Sequence, residues 1–186
     1  MIGFAMCGSF CTHKKSLEQM RRLRVEGYDI MPIMSENVYF TDTKFGKAEA
    51  LRAQVRDICG HDIISTVVDA EPIGPRSLLE VLIICPCTGN TLAKLAHGIT
   101  DTAVTMAAKA HLRSDGPLVI ALASNDALSA NLSNIGTMLN KKNVYFVPMS
   151  QDDPQKKPHS LVAEFDLLIP TLDAALNGKQ YQKIFV

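Results

Sequence analysis

The chain has 186 residues, 47% hydrophobic and 20% charged, which suffices for one substantial core and is short for two, so residues 1–186 are expected to form a single domain. Its 19 Lys and Arg balance 19 Asp and Glu, which excludes the overall basic field that draws nucleic acid. No apolar run reaches the roughly 18–20 residues of a membrane span.

The opening run Ile2-Gly3-Phe4-Ala5-Met6 is too short for a signal core and follows no basic stretch, so it reads as a first strand. An odd total of five Cys without a secretion signal points to reduced thiols in a cytoplasm. After a loop at 7–12, the spacing of Leu17, Met20, Leu23 and Val25 predicts a helix over 14–26, ended by Gly27. A second strand is expected at 28–34 and a polar helix within 41–59, ended by Gly60. Residues 62–71 read either as a short strand or as a surface connection, broken by Pro72, Gly74 and Pro75.

Residues 81–85 form a continuous apolar run, as expected of a parallel strand buried on both faces. Helices are predicted over 91–97 and about 101–112, a buried strand at 118–123, a helix over 131–140 and a short strand at 144–147, stopped by Pro148. Residues 151–159 are a polar loop, 161–169 mix helix and strand signals, and 172–176 suggest a closing helix that stops at Gly178. Strand–helix alternation of this kind implies an α/β fold: a parallel sheet with helices on both faces. Ligands of such sheets bind beyond the carboxyl ends of the strands, which selects the loops at 7–12, 35–39, 86–90 and 124–127.

The first loop offers Gly8 for close backbone approach, Ser9 as a hydroxyl donor, a helix N-terminus directly after it, and His13, Lys14 and Lys15 as nearby positive charge. A plain turn with a solvated basic first turn accounts for the same residues. The GxGxxG dinucleotide pattern is missing. The third loop, Pro86-Cys87-Thr88-Gly89-Asn90-Thr91, is small or polar throughout and directly follows the buried run. Thr88, Asn90 and Thr91 offer side-chain hydrogen bonds, Gly89 leaves room for a planar group, and Asn90 or Thr91 serves as a helix cap. Lys94, one turn into that helix, faces either a ligand or solvent. In Ser124-Asn125-Asp126, Asn125 either orients a ligand oxygen or forms an Asx turn. The cysteines form no CxxC pair and no HExxH occurs, so no metal site is expected. Cys87 reads as a reactive thiol near a helix start or as a small buried apolar residue.

At these loops the chain resembles the flavoprotein family that includes flavin-dependent cysteine decarboxylases, phosphopantothenoylcysteine decarboxylase and flavin prenyltransferases. Gly8-Ser9-Phe10-Cys11-Thr12-His13-Lys14 resembles the family's Gly-Ser-x-Ala-Ala-Tyr-Lys. Pro86-Cys87-Thr88-Gly89-Asn90-Thr91 through Lys94 to Gly98-Ile99-Thr100-Asp101 is similar to its Pro-Ala-Ser-Ala-Asn-Thr stretch with the Lys and Gly-Ile-x-Asp beyond it. Ala123-Ser124-Asn125 with Asn131 and residues 144–148 resembles its Pro-Ala-Met-Asn segment and next strand. Where the decarboxylases carry a catalytic His this chain has Pro72, and Leu122 and Ser124 replace the Pro and Met of the last motif. The C-terminal part also lacks their Cys-Gly-containing lid.

The stretch 71–75, the third loop, Ser124-Asn125-Asp126 and residues 145–154 are closer to the B-subunit family of the dipicolinate synthases of spore-forming bacteria. The resemblance implies a three-layer, Rossmann/flavodoxin-like fold and a cytoplasmic role in the mother cell of a sporulating bacterium. Dipicolinate would be made from a dihydrodipicolinate-type precursor of the lysine and diaminopimelate branch, together with an A subunit on which NADP is expected. It implies FMN as cofactor, with its phosphate on Gly8, Ser9 and Ser35, its ring against Pro86, Thr88, Gly89, Asn90 and Thr91, and Lys14 supplying positive charge. Lys94, Ser124 and Asn125 would meet the dicarboxylate substrate. No catalytic residue is assigned, and a homo-oligomer built on trimers is implied. Two alternatives stand beside this reading: a non-catalytic partner that organises or activates the A subunit, and a decarboxylase-like enzyme with a relocated base.

Overall fold

All of residues 1–186 are described by the computed structural model. The continuous apolar runs become the central strands β1 (Ile2–Met6), β3 (Leu82–Cys87) and β4 (Leu118–Ser124), in which every residue is buried. With β2 (Ile30–Met34) and β5 (Val144–Phe146) they form a parallel sheet in the order β2-β1-β3-β4-β5. Strands apolar on both faces need helices on both sides. The period-two alternation divides the core accordingly. Ala5, Leu82, Ile84, Ile120 and Leu122 pack toward α5 (Gly89–His97), α6 (Ala103–Leu112) and α7 (Leu132–Leu139). Phe4, Met6, Ile83 and Val119 pack toward α1 (His13–Val25), α3 (Ala48–Cys59) and α8 (Leu168–Leu176). The result is the expected three-layer, Rossmann/flavodoxin-like α/β arrangement. Fully buried Phe4 and Phe146 each contribute about 1.5–3 kcal/mol by leaving water.

Four expectations need correction. The sheet is not wholly parallel: β7 (Leu161–Ala163) pairs antiparallel with the carboxyl end of β4, and β6 (Met149–Ser150) extends it. β5 pairs with β4 only as far as Ile120, so the last residues of β4 have a free edge that β7 takes. Residues 35–39, expected as a loop, lie largely in a short helix, α2 (Glu36–Phe40). Within 41–59 only α3 is helical. Residues 43–46 close a turn through Thr43 and Gly46, whose φ of +147° no β-branched residue adopts easily. The ambiguous 62–71 stretch forms no strand: Ile64 makes one isolated bridge to Ile33, and a single helical turn that neither reading expected comes next, α4 (Val67–Ala70).

No helix is long and apolar enough to cross a membrane.

Candidate functional site

β1, β3 and β4 deliver their loops to one edge of the sheet, where a cleft of about 720 Å³ opens. That volume is within the usual range of about 300–1,000 Å³ for small-molecule sites. Gly8 and Ser9 line one side, Thr88, Gly89 and Asn90 the middle, and Ser124 and Asn125 the other, so seven of the sequence-predicted positions meet here. Asp152, Lys157, Ser160 and Val162, on and before β7, wall the far side.

The first loop is tied to the third by Cys7 N–H donating to the Pro86 carbonyl at 3.1 Å. Ser9 N–H turns back onto the Cys7 carbonyl at 2.9 Å, whereas Gly8 N–H has no acceptor in the protein. His13 is buried and its Nε2–H donates to the same Cys7 carbonyl at 2.8 Å, so it braces this loop. The Ser9 hydroxyl and the Asn90 and Asn125 amides make no hydrogen bond within the protein, which leaves them free for a ligand.

Thr88, not Asn90 or Thr91, caps α5: its Oγ1 accepts Thr91 N–H at 3.2 Å, because the helix begins two residues earlier than the apolar pattern suggests. Thr91 is buried, and its hydroxyl donates to Cys7 Sγ at 3.3 Å, binding α5 to the first loop. Gly89 lines the cleft, and the lack of a side chain there is required by the protein's own packing. A Cβ there would lie 2.4 Å from Ser124 Oγ, 2.6 Å from Asn131 Nδ2 and 2.7 Å from Asp126 Oδ1. These atoms form a network: Asp126 accepts from the Ser124 hydroxyl and from Asn131 Nδ2 at 2.8 Å, and Asn131 accepts from Asn134 at 2.9 Å. The Ser124 hydroxyl, and then the Asn131 amide, hold the Asp126 carboxyl below the ordinary carboxylate value against the effect of burial. The positive end of α5 favours the same ionised form.

The remaining charges set the character of the cleft. Asp152 is paired with Lys157, the cause of its lowered pKa. Lys15 and Lys44 enter no ion pair. Lys15 lies 5.8 Å from the Phe165 ring centroid and Lys44 lies 5.2 Å from that of Phe45. Three lysines, Lys15, Lys44 and Lys157, against the two carboxylates Asp126 and Asp152 leave the cleft with one net positive charge, and Lys15 and Lys44 remain available to an anion.

Five predicted positions lie outside this lining. Lys14 borders a neighbouring cavity, because one residue along a helix turns the side chain about 100° and it is Lys15 that faces the cleft. Ser35 is buried at the start of α2, its N–H given to the Met6 carbonyl at 3.1 Å. Pro86 is buried within β3, and Thr91 is used internally. Lys94 is held by Asp101 at 2.8 and 2.9 Å. Lys44 and Phe45 fall in the stretch read as helix, Asp152 and Lys157 in the polar loop at 151–159, and Val162 in the stretch of mixed signals, so the sequence singles out none of them. The one signal the sequence carries there is Gly46, two residues after Lys44, which marks a turn.

The same geometry sets the behaviour of the thiols and the imidazoles. Only Cys11 is exposed, while Cys7, Cys59, Cys85 and Cys87 are buried, so Cys87 is a core residue. Burial pushes the Cys7 thiol up to about 11 and the Cys85 thiol up to about 12. Since the thiolate is the nucleophile, iodoacetamide should label a single thiol promptly and the others only on unfolding, and Cys11→Ser should abolish the prompt reaction. Burial likewise holds His13 and His111 below the ordinary histidine value of 6.5. Protonation therefore favours the unfolded chain: this contribution is complete above pH 6.5 and is lost as pH falls below it. The melting temperature should fall between about pH 7 and 5, above the range where carboxylates respond, with both imidazole NMR signals titrating below the ordinary value.

Comparison with known proteins identifies the family and the fold. The sequence profile described as Flavoprotein matches residues 1–164. The dipicolinate synthase B subunit of Bacillus subtilis (strain 168) is 42% identical over 185 residues, covering 100% of this chain and 92% of the relative. The crystal structure of the dipicolinate synthase B subunit from Bacillus halodurans C superposes with a TM-score of 0.91 at 42% identity, covering 100% of this chain and 95% of the other. The FMN-dependent cysteine decarboxylase SpaF shares the fold, with a TM-score of 0.70 at 23% identity over 95% of this chain and 94% of its own. The chain belongs to the flavoprotein family and, within it, to the family of the dipicolinate synthase B subunits.

Proposed function

We propose that this chain is the B subunit of an oxidoreductase, a dipicolinate synthase. It acts in the cytoplasm of a sporulating mother cell with an A subunit that carries NADP, and together they convert a dihydrodipicolinate-type precursor into dipicolinate. The observation that carries the reading is the 42% identity to the Bacillus subtilis protein across the whole chain. Residues 1–186 serve as one folding unit that assembles into trimers or multiples of them.

The cleft suits FMN. Gly8 N–H, the Ser9 hydroxyl and the cations of Lys15 and Lys44 offer a phosphate its donors and counter-charge. Asn90 and Asn125, each with a donor and an acceptor, meet the polar edge of the flavin ring. When bound, the flavin supplies a two-electron acceptor. The chain's own contribution is to bind, orient and exclude water, because its two cleft carboxylates are held below their ordinary pKa and are weak bases. That same observation, with Pro72 where the decarboxylases carry a histidine, favours a second reading in which this chain organises the A subunit and takes no chemical step.

Titration with FMN tests the cofactor reading. The purified protein should take up about one flavin per chain, with the flavin absorbance retained through gel filtration. A protein that stays colourless in excess FMN would rule out the flavin and leave the organising role.

A further inference from the structure

A second cavity, of about 590 Å³, lies between α1, α2, α3 and the turn at 43–46. Phe10, Cys11 and Phe45 line both this cavity and the cleft, so the two are adjoining compartments. Phe45 is 58% exposed at the tip of the turn, between Lys44, which faces the cleft, and Lys47, which faces the second cavity.

The composition of the second cavity is one-sided. Leu17, Val38 and Leu51 give it an apolar floor. Lys14 and Arg21, two helical turns apart on one face of α1, and Lys47 from the opposite side stand around it. No Asp or Glu lines it, and none of the three cations enters an ion pair. Unpaired cations around an apolar floor match an organic anion with a flat carbon body: the floor removes the ring from water while the rim answers the charge.

We propose that this second cavity is the substrate's carboxylate subsite, taking a planar ring dicarboxylate beside the cofactor cleft. Lys14 and Arg21 meet one carboxylate, Lys47 meets the other, and the ring rests on Leu17, Val38 and Leu51. Phe45 partitions the two compartments. The identity of the dicarboxylate rests on the proposed function; the choice of cavity rests on its charges.

The test is calorimetric titration of the purified chain, with and without FMN, using pyridine-2,6-dicarboxylate as the probe and pyridine-2-carboxylate and inorganic phosphate as comparisons. The dicarboxylate should bind more tightly than either comparison. The Arg21→Glu/Lys47→Glu variant should bind it about tenfold or more weakly, with FMN uptake unchanged. Arg21→Gln/Lys47→Gln should show a smaller loss in the same direction, and Lys179→Glu, on the exposed surface after α8, no loss. Wild-type affinity in both double variants, equal affinity for inorganic phosphate, or no dicarboxylate binding at all would overturn the subsite even where FMN uptake stands. A wild-type chain that takes up no FMN, yet whose dicarboxylate binding is weakened by both double variants, would count against the cofactor reading alone and support the subsite.

Discussion

Gly89→Ala is expected to destabilise the protein by about 2 kcal/mol, although helix propensity taken alone favours Ala over Gly by up to about 1 kcal/mol. The added methyl would stand 2.4 to 2.7 Å from three polar atoms that hold one another: Ser124 Oγ, Asn131 Nδ2 and Asp126 Oδ1. None is the free end of a flexible side chain, so α5 must move off β4 or the network must open. Opening it leaves the partly buried Asp126 carboxylate short of donors, and hydrogen bonds to charged groups are worth about 1.5–3 kcal/mol each. Thermal unfolding of a domain this size should record a drop of roughly 4–8 °C. Adding Ser124→Ala removes the nearest obstructing atom, so the double variant should recover part of the loss rather than sum the two. Wild-type stability in Gly89→Ala would mean that α5 and the 124–131 loop are not packed as described.

The second large effect concerns the cleft itself. Lys15→Glu/Lys44→Glu should weaken FMN binding by about a hundredfold, from two charge-assisted contacts each worth about tenfold or more. Both side chains are exposed and neither is in an ion pair, so the melting temperature should scarcely change. Raising the salt concentration should weaken wild-type binding and leave the double variant less affected, since exposed charges are screened within about 10 Å at 0.1 M. Equal affinity in wild type and variant would remove Lys15 and Lys44 from the site.

The central sheet was readable because β1, β3 and β4 are uninterrupted apolar runs, and a strand buried on both faces leaves few alternatives. Once those strands are fixed, so are their carboxyl-end loops, which is why Gly8, Ser9, Thr88, Asn90 and Asn125 do line one cleft. What escaped the sequence has local causes. The strands β6 and β7 span two and three residues, too few for an alternation to register. The turn at 43–46 precedes a helical spacing that begins only at Ala48, so Lys44 and Phe45 fall inside the stretch 41–59 within which the helix is predicted. Lys14 and Lys15 cannot be separated without knowing the helix phase to better than one residue. The packing of Gly89 depends on partners 35 to 42 positions further along, Ser124 through Asn131, and no local pattern reports that distance.

The most direct test of the whole account is reconstitution. A purified A subunit, a dihydrodipicolinate source and the nicotinamide cofactor are assayed for dipicolinate by its ultraviolet absorbance, with and without this chain. The account predicts that dipicolinate forms at a useful rate only when both subunits are present, and that the rate saturates as this chain is added. Full activity of the A subunit alone, unchanged by this chain, would contradict it.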